Sequence, residues 1–235
     1  MTTKSFSVAL ALLALSLSAW ANPITIDQTD SNSAMIPPDN FSGLSETISL
    51  GSSIQSITDV QLTLDIGGTA FNQPFNGNYY AYLQHGSTLV VLLNRVGVTA
   101  GNPYGSADEG FDVTFSDSGS DIHNYQNGPY TLNANGQLTG TWAPDGRTAS
   151  PLSVLDTSPR GPLLKAFNGQ GSGGGWTLFI VDAATGDLGN LDSWSLQVTG
   201  NTASVPDGGN TLALLLLGLS PLALGSMMKK RLNAN

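Results

Sequence analysis

The sequence predicts an all-β domain, a sandwich or a barrel, over residues 22–204. Three observations carry that expectation. Short runs alternate apolar and polar residues, Gly-, Asn-, Asp- and Pro-rich clusters separate them, and the body shows no long helical pattern. Period-two alternation is what a strand with one buried face requires, and repeated short strands between turn signals build sandwiches and barrels.

The elements follow in chain order. Asn22 to Asp39 is a polar leader whose first part is expected to pair as an edge strand. "ITDVQLTLDI" sets Ile57, Val60, Leu62, Leu64 and Ile66 against Thr58, Gln61, Thr63 and Asp65, a half-buried strand. "YYAYLQHGSTLVVLLNRVG" reads as two strands joined at His85-Gly86-Ser87. "GFDVTFSD" places Phe111, Val113 and Phe115 on one face. Asn124 to Gly161, rich in Gly, Pro and Asn, is expected to form long surface loops with little regular structure. Two final strands run from Trp176 to Val181 and from Leu191 to Val198.

Composition bounds the function. The chain has no cysteine, which excludes disulfides and thiolate metal sites. Residues 22–204 carry 16 acidic and 4 basic residues, a net charge of −12. Nucleic-acid binding needs Lys and Arg patches, so that class is set aside. About 183 residues are ample for one buried β domain.

Both ends carry processing patterns. Lys4, an apolar stretch from Phe6 to Leu17, and the exit Ala19-Trp20-Ala21 match a secretory signal over residues 1–21, with cleavage expected after Ala21. At the other end stand Val205-Pro206-Asp207-Gly208-Gly209, an uncharged run from Leu212 to Met228, and Lys229-Lys230-Arg231. As a helix the run would reach about 25 Å at 1.5 Å per residue, the short limit for a hydrocarbon core of about 30 Å. A permanent membrane anchor and a sorting signal cut near the turn both fit it.

These features of residues 205–235 resemble the PEP-CTERM class of sorting tails, with Val-Pro-Asp in place of the commoner Pro-Glu-Pro. The resemblance implies an exosortase-type sorting enzyme as partner, membrane attachment through the apolar helix at least in transit, and delivery to the outer surface or extracellular matrix.

The body resembles the proprotein convertase P domain (P/Homo B), from about Ile36 to Gly200. The most specific stretch is Gly175-Trp176-Thr177-Leu178, Asp182, Gly186-Asp187-Leu188-Gly189, Leu191 and Trp194-Ser195-Leu196. Asn78-Tyr79-Tyr80 stands where many members have Asp-Leu. The resemblance implies an antiparallel jelly-roll β-sandwich. In convertases that domain accompanies a subtilisin-like catalytic domain, which this chain lacks.

Catalysis is not expected. His85 and His123 are the only histidines, expected in an exposed turn and an acidic loop. "GQGSGGG" around Ser172 lacks the Gly-x-Ser-x-Gly spacing of a nucleophile elbow and reads as a turn into the Trp176 strand. Among the carboxylates, Asp112, Asp117, Asp182 and Asp187 are the candidate ligands of a weak calcium site. They lack EF-hand spacing, and Asp182 and Asp187 equally fit turn capping. Apart from calcium, no cofactor is expected.

Aromatic platforms bind sugars in many jelly rolls. Trp176 and Trp194 are expected in the core, whereas Tyr104, Tyr125, Tyr130 and Trp142 are expected in loops as a binding surface. The functional expectation is a non-enzymatic surface or matrix protein that adheres to, or associates with, extracellular polysaccharide. The alternative is an accessory module supporting a secreted subtilisin-like protease in trans.

Overall fold

The computed structural model describes residues 23–38, 41–68, 73–184 and 188–203. The signal pattern (Ala19, Ala21), the tail residues Val205, Pro206, Asp207, Gly208, Gly209, Lys229, Lys230 and Arg231, and Asp187 lie outside the described residues.

Among the described residues, ten strands form two sheets in a sandwich-like arrangement. They are β1 (Pro23–Asp30), β2 (Ala34–Met35), β3 (Leu44–Leu50), β4 (Ser56–Gly68), β5 (Tyr79–His85), β6 (Thr88–Asn94), β7 (Phe111–Asp121), β8 (Leu138–Ala143), β9 (Gly174–Asp182) and β10 (Gly189–Asn201). The larger sheet runs β1-β10-β4-β7-β8, with β2 also on β10, and the smaller runs β3-β9-β5-β6. As expected, the leader supplies an edge strand, with Pro23 opposite Asn201. The hairpin β5–β6 turns at Gly86, whose φ of +56° is the left-handed conformation that glycine adopts freely.

One apolar core joins the sheets. Leu62, Leu64, Phe111, Val113, Phe115, Trp194 and Leu196 of the larger sheet belong to the same buried cluster as Ala81, Leu83, Trp176, Leu178 and Ile180 of the smaller. The alternation in β4 and β10 slips twice, between Ile57 and Val60 and between Leu191 and Trp194. Both slips coincide with irregularities in the β4–β10 ladder, where Thr58 and Asp192 are the extra residues. A bulge inserts one residue and restores phase, so the apolar side chains beyond each slip face the core again.

Two expectations are corrected. The sheets are not wholly antiparallel, because β7 and β8 pair in parallel. A parallel pair needs a crossover of a dozen or more residues, and residues 122–137 supply it. All but the first two residues of that crossover, and the strand it leads to, lie in the segment from Asn124 to Gly161 expected to be surface loop. The segment also carries a 3-10 turn, Ile122–Asn127, and a string of buried side chains.

Candidate functional site: an aromatic cleft beside a buried charge network

The site begins at a kink in β7. Its register with β8 breaks between Phe115 and Ser120, so that Trp142 faces both residues across the ladder. Gly119 permits this, since a Cβ there would collide with the backbone of Trp142 and Ala143. Beyond the kink, Asp121 caps the 3-10 turn, its Oδ1 accepting the backbone N–H of His123 at 3.1 Å. The turn then delivers Tyr125 beside Trp142.

Tyr125, Tyr130 and Trp142 form an aromatic cluster lining a cleft of ≈580 Å³. The Tyr125 and Tyr130 rings lie 5.1 Å apart and nearly perpendicular, and the Tyr125 and Trp142 rings 5.9 Å apart. Such edge-to-face contacts place the positive ring edge on the negative face of its neighbour. Thr139, Thr141 and Asn124 supply polar groups at the same cleft. Tyr130 is 38% exposed, whereas Tyr125 and Trp142 are nearly buried, so Tyr130 offers the accessible ring and the other two back it.

The backing is held from behind. The Tyr125 hydroxyl donates to Asp108 Oδ2 at 2.6 Å, and it lies against Ser106 Oγ and accepts from Asn76 Nδ2. Burial, and next the Asp108 carboxylate, push this phenol well above its ordinary range, so it stays a donor. The Trp142 indole N–H donates to the Thr139 carbonyl oxygen at 3.0 Å. Sequence reasoning placed Tyr125 and Trp142 on an exposed loop. The loop instead folds back on itself, and both rings are covered.

Next to the cleft lies a buried charge network. Arg147, its side chain 3% exposed, reaches Asp121 Oδ2 at 2.9 Å and Asp145 Oδ1 at 3.1 Å. The opposite oxygen of Asp145 meets His123 Nδ1 at 2.7 Å. Arg160 holds the strand–loop junction by donating to the carbonyl oxygens of Pro144 and Asp145. Burial depresses the Arg147 value, but the bonds and charges of Asp121 and Asp145 outweigh it and the net direction is upward. Asp121 belongs to both the network and the cleft wall, so the buried charges fix one side of the cleft.

A second cleft of ≈810 Å³ contains Asp65, Glu109, Asp192, Asn135 and Gln137. The bulge that restores phase in β10 puts Asp192 here, and Gly67 leaves room for its carboxylate. Gln137 Nε2 donates to Asp65 Oδ1 at 2.7 Å. Burial raises the Asp65 carboxyl; the Gln137 bond opposes this, and the charges of Asp192 and Asp112 add to it.

The candidate calcium ligands fall elsewhere. Asp112 faces out from β7 opposite Asp65. Asp117, at the β7 kink, accepts the backbone N–H groups of Leu164 and Lys165, both at 2.9 Å. Asp182 ends β9 in the other sheet, and its Oδ1 accepts the N–H of Ala184, the turn-capping role its sequence context fits. Among the described residues no three His, Asp or Glu side chains are grouped to hold a metal.

Both histidines are buried, not exposed as expected. His85 stacks on Trp176 with ring centroids 4.1 Å apart, and its ring nitrogens face the carbonyl oxygens of Gly175 and Gly171. His123 is held between Asp145 and the Val98 carbonyl oxygen. Buried Ser172 donates to the Gly51 carbonyl oxygen. Tyr104, 75% exposed, stands apart from the aromatic cleft. The residues that sequence reasoning missed are Asp145 and Arg147. One signal was present for Arg147, as one of only four cations in a strongly acidic body.

Fold and site together define a β-sandwich whose cleft is built from β8, the end of β7 and the crossover between them. No family model and no curated protein matches the chain. Among solved structures it is similar to a serine protease of Aeromonas sobria, at 16% identity and a TM-score of 0.43 over 80% of this chain and 29% of that one. It is also similar to a chain in the complex of that protease with the chaperone ORF2, at 17% identity and a TM-score of 0.41 over 77% and 28%. This chain therefore spans less than a third of the length of those chains.

Proposed function

We propose that this protein is a non-catalytic binding module of an exported system, and that its ligand surface is the aromatic cleft. The observation that carries this is the Tyr125–Tyr130–Trp142 cluster, with one ring accessible and two locked from behind. An apolar platform ringed by a few fixed polar groups is the ordinary form of a small-ligand site. The ligand that fits is a neutral, hydroxyl-rich saccharide, whose C–H face lies on Tyr130 while Thr139, Thr141 and Asn124 meet its hydroxyls. The absence of catalysis in the proposal is supported by the burial of both histidines, each with its ring nitrogens turned toward carbonyl or carboxylate oxygens of the protein.

The test is calorimetric titration of the purified protein with neutral hexose oligosaccharides. Tyr130→Ala should abolish binding without moving the unfolding midpoint. Equal binding by Tyr130→Ala and the parent would overturn the assignment of the cleft.

A second reading is an accessory module for a secreted serine protease. What supports it is the P-domain-like closing segment, Gly175 to Leu196, which supplies a strand flanked on both sides in each sheet. Co-precipitation of a secreted protease by both the parent and Tyr130→Ala would favour that partner. Delivery through an exosortase-type system belongs to the same proposal and rests on the Val205–Gly209 motif, the apolar run and the basic end. Mass spectrometry of the surface form checks it, and an intact end at Asn235 would restore the permanent anchor.

A further inference from the structure

A third cavity, of ≈330 Å³, lies away from both clefts. Val98, Pro103, Pro151, Leu152 and Val154 wall it, and Arg95 reaches it. Arg95 is unusual in its backbone as well as its place. Among the described residues it is the only non-glycine with a left-handed conformation, at φ +49°. Such a conformation strains an ordinary L-residue by about 1–2 kcal/mol, and glycine would adopt it freely. The side chain, not the backbone, therefore accounts for arginine at this position.

That side chain is aimed and partly used. Nε donates to the Gly77 carbonyl oxygen at 3.0 Å and Nη2 to the Pro103 carbonyl oxygen at 3.2 Å. A guanidinium has five N–H donors in a fixed fork, so two bonds fix its orientation and leave donors for a ligand. Partial burial lowers the Arg95 value and the charge of Asp182 partly restores it, so the half-buried guanidinium already has one carboxylate in its field. The other two arginines of the body, Arg147 and Arg160, are committed to Asp121, Asp145 and carbonyl oxygens.

We propose that this cavity binds a carboxylate borne on a small apolar body, with Arg95 gripping the carboxylate and the Val98, Leu152 and Val154 side chains covering the rest. A guanidinium pairs with a carboxylate through parallel, charge-assisted hydrogen bonds. The volume is at the low end for ligand sites, which limits the occupant to about one amino-acid residue. A free small acid and the C-terminal residue of a peptide share this chemistry.

The experiment titrates the purified full chain with N-acetyl-leucine and with its uncharged amide, followed by calorimetry. The acid should bind saturably, and the amide at least about tenfold more weakly. Arg95→Gln should lose the difference between the two. Because Arg95 also ties Gly77 and Pro103, the exposed Leu152→Asp serves as a second variant. It should keep the unfolding midpoint and lose the acid by charge repulsion at the mouth. Equal affinity for acid and amide, or undiminished binding by Leu152→Asp, would overturn the proposal. A tripeptide Ala-Ala-Leu with a free C-terminus separates the sources: tighter binding than N-acetyl-leucine assigns the site to chain ends, and equal binding assigns it to small acids. Acid binding that survives Tyr130→Ala shows that the two sites are independent.

Discussion

The strands around Trp176 and Trp194 and the irregular segment 122–160 bury comparable side chains by different means. In the first, apolar residues enter the core because strand geometry sends alternate side chains to one face. Trp176 and Trp194 are each about 1% exposed or less on this account. In the second, no period operates, and a buried Asp-Arg-Asp-His network does the organising. The apolar region tolerates an imperfection, since the Trp194 indole N–H has no partner among the described residues. The buried ion pairs tolerate little, because removing one partner leaves an uncompensated charge. Apolar burial sets how much holds the fold, while polar burial sets where a loop can lie.

Variants on both sides sharpen this contrast. The largest loss is expected from Trp194→Ala and Arg147→Ala. Truncating a buried Trp costs about 3–5 kcal/mol, and breaking a buried ion pair costs about the same, 3–5 kcal/mol. Urea unfolding measures both. A loss below about 1 kcal/mol for Arg147→Ala, the range of surface pairs, would show that the network is incidental to stability. Trp142→Ala comes next. An exposed loop position would give almost no effect, whereas burial at 8% exposure predicts a loss of about 3 kcal/mol. A thermal midpoint unchanged from the parent would restore the loop picture.

Tyr125→Phe is smaller and more specific. It removes the bond to Asp108 while keeping the ring, for a loss of about 1–2 kcal/mol. Saccharide affinity should fall further than the stability change alone requires, because the ring behind Tyr130 is no longer fixed. Unchanged affinity would separate the hydroxyl network from the cleft.

The smallest expected effect has the opposite sign. The Asp65 carboxyl is raised in the folded state by burial and by Asp192 and Asp112, so its ionised form opposes folding. The unfavourable contribution is absent below the unfolded value, near pH 4, and grows as pH rises through the folded value. Asp65→Asn keeps an acceptor for Gln137 and should stabilise the protein at pH 7, with the gain fading on acidification below about pH 4. Asp65 is half-buried at the edge of an open cleft, so screening by solvent holds the gain to under about 1 kcal/mol. Midpoints measured at pH 7 and pH 3.5 check the sign, and destabilisation at pH 7 would contradict it.

The sequence by itself determined the strands whose apolar residues alternate. β4, β5, β6, β7, β9 and β10 were legible, as was the edge strand β1, because each has its own buried face or a plain turn beside it. The two phase slips are bulges that only the β4–β10 ladder shows. Three of the four loop aromatics proposed as a surface do meet in one cleft, while Tyr104 does not. Tertiary structure alone decided the rest. β8 is six residues of Leu, Thr, Gly, Trp and Ala with a weak period, and it forms because the β7 edge is there to pair with. His123, Asp145 and Arg147 lie in or beside the Gly-, Pro- and Asn-rich stretch that reads as solvated loop. Arg147 is buried because Asp121 and Asp145 neutralise it, and His123 is held against Asp145, pairings between separate turns that no local pattern records.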